Sequence, residues 1–400
     1  MNADAIISSV MRILAVDMGT GTQDILLFDS AQPVENALQM IMPSATQIAA
    51  RHIRAATSER HAVVLTGVTA GGGPCHWALE AHIKAGFPAL ATPEAAKTFD
   101  DDLDNVQRMG VTLLSEDEVD AHQGEHIPFR DLDLDAIRTA FSAFDVDTRF
   151  DGLALGCLDH GASPPGYSDR LFRFDHLRRV VAERNDLRAF AYLPDELPEY
   201  LTRARTLVAA ADADTPTVFL DTGPAAALGA LQDSQVAAHQ EQLLLNLGNM
   251  HALAFHLHGT RIRALYEHHT GEVSADQFVD FTQRLIAGTL PHEDVFNSKG
   301  HGVYYADGPP ARAELVEAPE PVEGPERSEG SSHPAGPFLA VTGPQRAKLR
   351  GSALDPYFAV PHGDMMVSGC FGLLWAFAEK HPQHSDEILE TLGISATLVA

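Results

Sequence analysis

The segment RILAVDMGTGTQDILLFD, residues 12–29, constrains the fold of this chain more than any other. Two apolar runs, typical of buried strands, flank a short turn that begins at Gly19. Because DILLFD continues as strand, the segment predicts a β-hairpin. It therefore differs from Walker-type phosphate loops and dinucleotide-binding turns, which open a helix.

The turn of this hairpin suits an anionic ligand. Small residues allow backbone N–H groups and hydroxyls to approach anionic oxygens closely, without a lysine. Asp17, at the end of the first strand, is placed to hold Mg²⁺ through water. The alternative is a tight glycine hairpin that binds nothing. The candidate phosphate-binding residues are Gly19, Thr20, Gly21, Thr22 and Gln23.

Composition bounds the class of protein. With 400 residues, of which 45% are hydrophobic, the chain can build two domains with their own cores. A net charge of −27 argues against a nucleic-acid-binding surface, because phosphate backbones are gripped mainly by Lys and Arg. No run approaches the roughly 20 apolar residues that span a bilayer, and no signal peptide is evident, so we expect no membrane association and a cytoplasmic location.

Predicted strands and helices alternate along the chain, which indicates an α/β architecture. A domain junction near residues 230–240 divides the chain into an N-terminal lobe, residues 11–235, and a C-terminal lobe, residues 236–400. A helix at about 366–380 is expected to pack back across the junction. The predicted strands are RILAVDM, DILLFD, AVVLTGV, GLALGCL, TPTVFLDTG, QLLLNLG, ALAFHLHGTRIRALYEHH and FLAVTG. The predicted helices are DLDAIRTAFSAF, YSDRLFRFDHLRRVVAER, LPEYLTRARTLVAAA, SADQFVDFTQRLIAG and SGCFGLLWAFAEKH.

Two segments are expected to lie outside the folded lobes. In residues 308–337, glutamates recur every third residue from Glu314 to Glu329 among Pro, Gly and Ser. That composition cannot bury apolar surface, so we predict a disordered insertion in a surface loop. An acidic docking segment is the alternative. Residues 1–10 precede the first strand, and we expect a loose extension there.

Four segments in order resemble the superfamily of sugar kinases, heat-shock protein 70 and actin. They are the hairpin; FLDTGPAAALGALQDS followed by EQLLLNLGNMHALAFHLHG; FLAVTGPQRAKL; and GDMMVSGCFGLLWAFAEK. The resemblance implies a two-lobed actin-like ATPase (ribonuclease H-like) fold with ATP and Mg²⁺ in a cleft between the lobes.

The same resemblance assigns residues to roles. Gly248 and Asn249 correspond to a second phosphate turn, and Gly343 to the adenosine motif. Asp221 corresponds to the general base that accepts a proton from the attacking hydroxyl, although a strand-end Asp that caps the next helix is an equal alternative. Two departures stand out. Asn246 lies where some relatives have a metal-facing Asp, which weakens an expectation of fast hydrolysis, and Pro344 replaces a second glycine, which weakens adenine specificity.

The hairpin, LTGVTAGGGP and DHGASPPGYSDRLFRF together resemble the domain-of-unknown-function 1786 family, over nearly the whole chain outside the insertion. Members of such families carry the name pyruvate formate-lyase activating enzyme. A radical-SAM activase needs CxxxCxxC to hold its cluster, and Cys75, Cys157 and Cys370 are too widely spaced to provide it. We expect reduced, structural cysteines and no activase of that type.

Two further turns are candidate sites. TAGGGPCHW, residues 69–77, joins a strand to a helix and presents three glycines either as an anion cradle or as a flexible turn. Asp159 and His160 follow a buried strand and form either an acid/base pair or a buried, hydrogen-bonded turn. His256, His258, His268 and His269 lack a third ligand at dependable spacing, so spacing does not indicate a histidine metal site.

These features predict ATP-dependent phosphoryl transfer to a small hydroxylated molecule. Asp17 would organise Mg²⁺, the turn would hold the transferred phosphate, and Asp221 would act as base. The first alternative is a nucleotide-driven switch that acts on a partner protein. The second is a binding protein that has lost catalysis.

Overall fold

The computed structural model describes residues 10–308 and 336–394. Within these residues the chain forms three β-sheets with helices on their faces, which confirms the α/β class. The predicted insertion at 308–337 lies outside the described residues except for residues 308, 336 and 337, and so does the predicted extension except for residue 10.

The chain begins with an antiparallel meander. Its strands are β1 (Arg12–Met18), β2 (Thr22–Asp29) and β3 (Leu38–Pro43). β1 and β2 pair from Arg12↔Asp29 to Met18↔Gln23, so the predicted hairpin is confirmed and no helix follows its turn. Ile13, Leu26 and Phe28 are buried in the core, as expected for strands covered on both faces. β3 was not predicted, because four of its six residues are exposed and it shows no buried apolar face.

A second, smaller sheet is inserted after β3. Its elements are α1 (Ala45–Glu59), β4 (Val63–Gly67), α2 (Pro74–Lys84), β5 (Ala89–Ala91), α3 (Pro93–Ala96), α4 (Leu103–Met109), β6 (Val111–Leu113) and β7 (Glu125–Phe129). The strands are parallel, in the order β6-β5-β4-β7. Ile53, Leu65 and Leu79 belong to a core of its own. The sequence predicted only β4 here, because β5 and β6 have three residues each and show no periodicity.

The chain then returns to the first sheet and completes it. The elements are α5 (Leu134–Ser142), β8 (Gly152–Cys157), α6 (Asp169–Glu183), β9 (Ala191–Tyr192), α7 (Thr202–Ala209), β10 (Thr217–Asp221), α8 (Thr222–Ala230) and α9 (Ser234–Ala237). The strand order is β3-β2-β1-β8-β10-β9, with β8 and β10 parallel to β1.

The rest of the described chain forms the third sheet and four further α-helices. They are β11 (Glu241–Leu247), β12 (His251–His258), β13 (Arg261–His269), α10 (Ala275–Ile286), α11 (His292–Asn297), β14 (Gly302–Tyr305), β15 (Phe338–Thr342), β16 (Tyr357–Phe358), α12 (Ser368–Lys380) and α13 (Ser385–Thr391). The strand order is β14-β13-β12-β11-β15-β16. The predicted lobe boundary at 235/236 falls inside α9, just before this sheet begins.

The first and third sheets share one topology. In each, an antiparallel meander (β1-β2-β3 or β11-β12-β13) has its first strand flanked on the other side by a parallel strand, β8 or β15. Asp17 and Asn246 are each the sixth residue of a seven-residue first strand. The two polar side chains therefore occupy equivalent places at the ends of equivalent strands, one in each lobe.

Helices α8 and α12 pack against each other between the two sheets. A Cβ on Gly229 would overlap the backbone of Ser368, and a Cβ on Gly372 would overlap the backbone of Ala225, so the glycines permit the close approach. One continuous core includes Leu220, Leu244 and Phe371 and therefore joins the first and third sheets. The predicted return of the C-terminal helix across the junction is confirmed. In the described ranges no helix combines the length and hydrophobicity needed to span a bilayer.

Candidate functional site

The turns of the two equivalent hairpins meet between the lobes. The β1–β2 turn is closed by a hydrogen bond from the Gly19 amide to the Thr22 carbonyl, at 2.9 Å. The β11–β12 turn is closed in the same way, from the Gly248 amide to the His251 carbonyl, at 2.9 Å. A Cβ on Gly21 would overlap the side chain of Asn249, which places the two turns in contact. The predicted phosphate turns are thus adjacent.

Two carboxylates lie at the base of the first turn, Asp17 buried and Asp24 half-buried. Asp17 faces Asp24 across the β1–β2 pair, and its Oδ1 accepts a hydrogen bond from the Thr222 hydroxyl at 2.7 Å. Burial raises the pKa of Asp17 to about 6. Burial, together with the charge of Asp17, raises the pKa of Asp24 to about 7. Asp24 Oδ1 is buried without a hydrogen-bond partner among the described residues. Neither carboxylate forms an ion pair with a Lys, Arg or His side chain among the described residues.

Gly343 lies beside the second turn. It follows β15 with a φ of 94°, and a Cβ there would overlap the Leu247 carbonyl and the Asn246 amide oxygen. Gln345, two residues later, donates from its side chain to Asn249 Oδ1 at 3.1 Å. The predicted adenosine motif therefore adjoins the predicted phosphate turn.

A cavity of about 490 Å³ opens next to the two turns. Thr20 and Met250 contribute one wall, and the three-glycine loop, residues 71–73, contributes another. This loop runs into the first turn of α2 and is held by the Gly71 amide, which donates to Asp131 at 3.1 Å. Arg203 forms an ion pair with Asp131 at 2.7 Å and also lines the cavity. The acidic stretch 100–102 forms part of the rim.

The Asp159 carboxylate and the His160 ring form hydrogen bonds with other groups and not with each other. Asp159 is buried, and its carboxylate accepts from the amides of Gly161 at 2.8 Å and Ala204 at 2.9 Å. These contacts fix the loop after β8 against the start of α7. Burial raises the pKa of Asp159. For Asp159, the geometry is that of the hydrogen-bonded turn, whereas His160 projects towards other histidines.

Asp221 is held in a buried ion-pair network. Its two carboxylate oxygens accept from Arg173, at 2.5 Å and 3.0 Å, and Oδ1 also accepts from the Gly223 amide at the start of α8. Arg173 further contacts Glu267 at 3.2 Å. The predicted cap of α8 is confirmed. A proton transferred to Asp221 would compete with the Arg173 guanidinium, which already donates to both carboxylate oxygens.

Four histidines converge on the wall of the cavity. They are His160 from the loop after β8, His251 at the start of β12, His269 at the end of β13, and His301 just before β14. One ring nitrogen from each lies within 4.8 Å of the others. The Nε2 atoms of His160 and His251 are 3.1 Å apart.

Burial favours the neutral form of these imidazoles, of which His301 is buried and the other three are half-buried. Burial lowers the pKa of His160 to about 3, and it lowers the pKa of His251 and of His301 well below the usual histidine range. Burial also lowers the pKa of His269. At neutral pH each ring therefore has one nitrogen lone pair for a hydrogen bond or a metal.

Sequence spacing did not reveal this cluster. His251 and His269 face each other across the β12–β13 hairpin, whose residues were predicted as one strand. The other two ligands come from the loop after β8 and from the segment before β14, at separations that no local pattern encodes. His256 and His258, which were weighed for metal binding, are not members of the cluster.

A family model described as "Putative pyruvate format-lyase activating enzyme (DUF1786)" matches residues 70–329, well over half of the sequence. The chain belongs to this family. The matched range includes the three-glycine loop, the Asp159–His160 turn and all four clustered histidines, but it excludes the β1–β2 hairpin. Among curated proteins, none matches the chain.

The three cysteines of this DUF1786 family member lie apart. Cys75, Cys157 and Cys370 are free and buried, and each belongs to a different hydrophobic core. Burial raises the pKa of the Cys75 thiol to about 11 and that of the other two well above the usual range. Neutral thiols in separate cores are not arranged as a common ligand set for an iron–sulfur cluster.

Proposed function

We propose that this protein binds ATP with Mg²⁺ between its two lobes and transfers a phosphoryl group to a small hydroxylated molecule in the adjoining cavity. The observation that carries the proposal is the contact between the Gly21 and Asn249 turns, together with the paired carboxylates of Asp17 and Asp24 in the first hairpin. The repeated topology of the two lobes supports an actin-like ATPase fold, in which nucleotide lies between such turns.

The residues at this junction fit a hard divalent cation. Asp17 and Asp24 supply oxygen ligands of the type that Mg²⁺ takes, directly or through water, and Asp24 Oδ1 lacks another partner among the described residues. When bound, Mg²⁺ would neutralise charge on the terminal phosphates. Thr20, Thr22 and Gln23 on one side, with Gly248 on the other, would hold phosphate oxygens. Gly343 would lie towards the nucleoside.

The cavity provides room for the acceptor. In the transfer, a bond forms between the acceptor oxygen and the γ-phosphorus while the bond to the ADP oxygen breaks, and the hydroxyl proton passes to a carboxylate. Asp221 is the base implied by strand position, but Arg173 occupies its oxygens. We therefore assign proton acceptance to Asp101, which lines the cavity and has no ion pair among the described residues.

Asp101 has properties suited to this role. It lies at the exposed rim of the cavity, where its carboxylate accepts from the Thr202 hydroxyl at 3.5 Å. Partial desolvation and the charges of Asp159, Asp100 and Asp169 raise its pKa to about 6. A base with a pKa close to the working pH accepts a proton effectively.

ADP formation with a panel of polyols, sugars and hydroxy acids tests the proposal. We expect acceptor-dependent turnover in the parent protein and a kcat that is on the order of 100-fold lower in Asp101→Asn, with Mg-ATP affinity unchanged. Asp117→Asn, on an exposed segment of the inserted sheet, is the matched control and should behave like the parent. Equal loss in both variants, or none in either, would remove Asp101 from the mechanism.

A nucleotide-driven switch that acts on a partner protein is the second candidate. The observation that favours it is the clamp of Arg173 on Asp221, which leaves the base implied by the superfamily without a free oxygen. A switch hydrolyses ATP slowly without any acceptor and changes lobe orientation with nucleotide state. Acceptor-independent turnover in the same assay would select this function.

A further inference from the structure

The four clustered histidines offer nitrogen ligands from both lobes. His160 belongs to the loop after β8 in the first sheet, whereas His251, His269 and His301 belong to the third. His160 and His251 approach to 3.1 Å between Nε2 atoms, and the rings of His269 and His301 have centroids 4.6 Å apart. The cluster thus lies at the seam between the lobes, in the wall of the cavity.

The hydrogen bonds around the rings leave nitrogen lone pairs unused. His269 Nδ1 lies 2.9 Å from the Lys299 carbonyl, which can only accept, so this nitrogen carries the proton and Nε2 is left with its lone pair. His301 is fully buried, and neither of its ring nitrogens has a hydrogen-bond partner among the described residues. A buried polar group without a partner costs on the order of 1–3 kcal/mol. A bound metal ion that is coordinated by these ring nitrogens would remove this penalty.

We propose that His160, His251, His269 and His301 bind one divalent transition-metal ion of the zinc type and that this ion joins the two lobes. Zn–N bonds of 2.0–2.1 Å in a tetrahedron require nitrogens separated by about 3.3 Å. One ring nitrogen of each histidine lies within 4.8 Å of the others, and the Nε2 atoms of His160 and His251 are 3.1 Å apart. An all-imidazole set suits Zn²⁺ and its neighbours rather than Mg²⁺ or Ca²⁺, which take oxygen ligands.

The charge balance around the cluster is compatible with a dication. The nearest buried cations are already paired, Arg173 with Asp221 and Glu267, and Arg203 with Asp131. The contact from His269 Nδ1 to the Lys299 carbonyl is the kind of outer interaction that orients a ligand ring. Because His160, His251 and His269 line the cavity, the ion would be reachable by an oxygen atom of a bound molecule.

Metal titration of the untagged, chelator-treated full chain tests the proposal. We expect one Co²⁺ per chain with the absorption spectrum of a tetrahedral nitrogen site, displaced by Zn²⁺. His269→Ala should weaken affinity by more than the roughly 10–100-fold that loss of an outer-sphere partner costs. His258→Ala, an exposed histidine on β12, is the matched control and should bind like the parent. Circular dichroism of both variants establishes that they are folded.

Hydrogen exchange tests the link between the lobes. Zn²⁺ should slow exchange both in the loop after β8, residues 158–161, and in residues 267–269 of β13. Protection in only one of these segments would overturn the link. No metal bound by the parent, or equal affinity of His269→Ala and His258→Ala, would overturn the site itself. Neither readout depends on ATP, so the outcome is separate from that of the phosphoryl-transfer assay.

Discussion

At the scale of single residues, Asp24 was not predicted from the sequence as a site residue, although it lies directly across the hairpin from Asp17. Asp17 Oδ1 accepts a hydrogen bond from the Thr222 hydroxyl, and neither carboxylate forms an ion pair in the described part of the chain. The arrangement is unfavourable without a cation, because like charges in a desolvated site raise each other's free energy.

Replacing Asp24 by Asn should therefore stabilise the protein in the absence of Mg²⁺. At pH 8 we expect the free energy of unfolding to rise on the order of 1 kcal/mol, since one buried charge is removed. The stabilisation by added Mg²⁺ should shrink in parallel. Urea unfolding with and without Mg²⁺ measures both effects, with Asp117→Asn as the exposed control. A variant less stable than the parent that keeps its full response to Mg²⁺ would contradict the assignment.

A second residue, His176, should make stability depend on pH. It is buried beside Arg173 and Arg179, and its Nδ1 lies 3.0 Å from the Tyr200 hydroxyl. Burial, reinforced by the charge of Arg173 and opposed by Asp221, lowers its pKa to about 4, whereas the unfolded chain titrates near 6.5. The unfolded state binds more protons between these values, so stability falls as pH drops from 6.5 to about 4.

The size of this effect follows from the pKa difference. Between pH 7 and pH 4, the free energy of unfolding of the parent should fall by up to about 3 kcal/mol more than that of His176→Asn. Denaturant unfolding at a series of pH values measures the difference, and His258→Asn should follow the parent. Parallel curves for the parent and His176→Asn would show that His176 titrates alike in the folded and unfolded states.

At the scale of elements, the hairpins and long helices were predictable because their signals are local. β1 and β2 are adjacent in sequence, and β11 and β12 form a second hairpin of the same kind. The inserted sheet was missed because its strands are short and pair only in parallel, across helices. The histidine cluster was missed because His160 joins it from the first sheet and His301 from the segment before β14, at separations that no local pattern encodes.

The contact between α8 and α12 should be sensitive to one added methyl group. Gly229→Ala places a Cβ into the backbone of Ser368, and overpacking of this kind costs about 1–3 kcal/mol. Gly271→Ala is the matched control, because its Cβ would meet no atom within 4 Å. Thermal and urea unfolding should separate the two variants. Equal midpoints would mean that the two helices can move apart at no cost.

At the scale of the whole molecule, two lobes of shared topology place three features side by side: a pair of turns, a cavity and a histidine cluster. The continuous core through α8 and α12 joins the lobes on one side. The turns and the histidines border one cavity, which Thr20 lines from the first sheet and Met250 and His251 from the third. A ligand that contacts both lobes there stabilises the closed arrangement.

Calorimetric titration of the full chain with Mg-ATP addresses this arrangement most directly. We expect one site per chain, with affinity reduced at least about tenfold in Asp17→Ala, because a carboxylate that holds the cation is lost. Asp117→Ala should bind like the parent. Absence of binding by the parent, or a titration of Asp17→Ala that superimposes on it, would contradict a nucleotide held between the two turns.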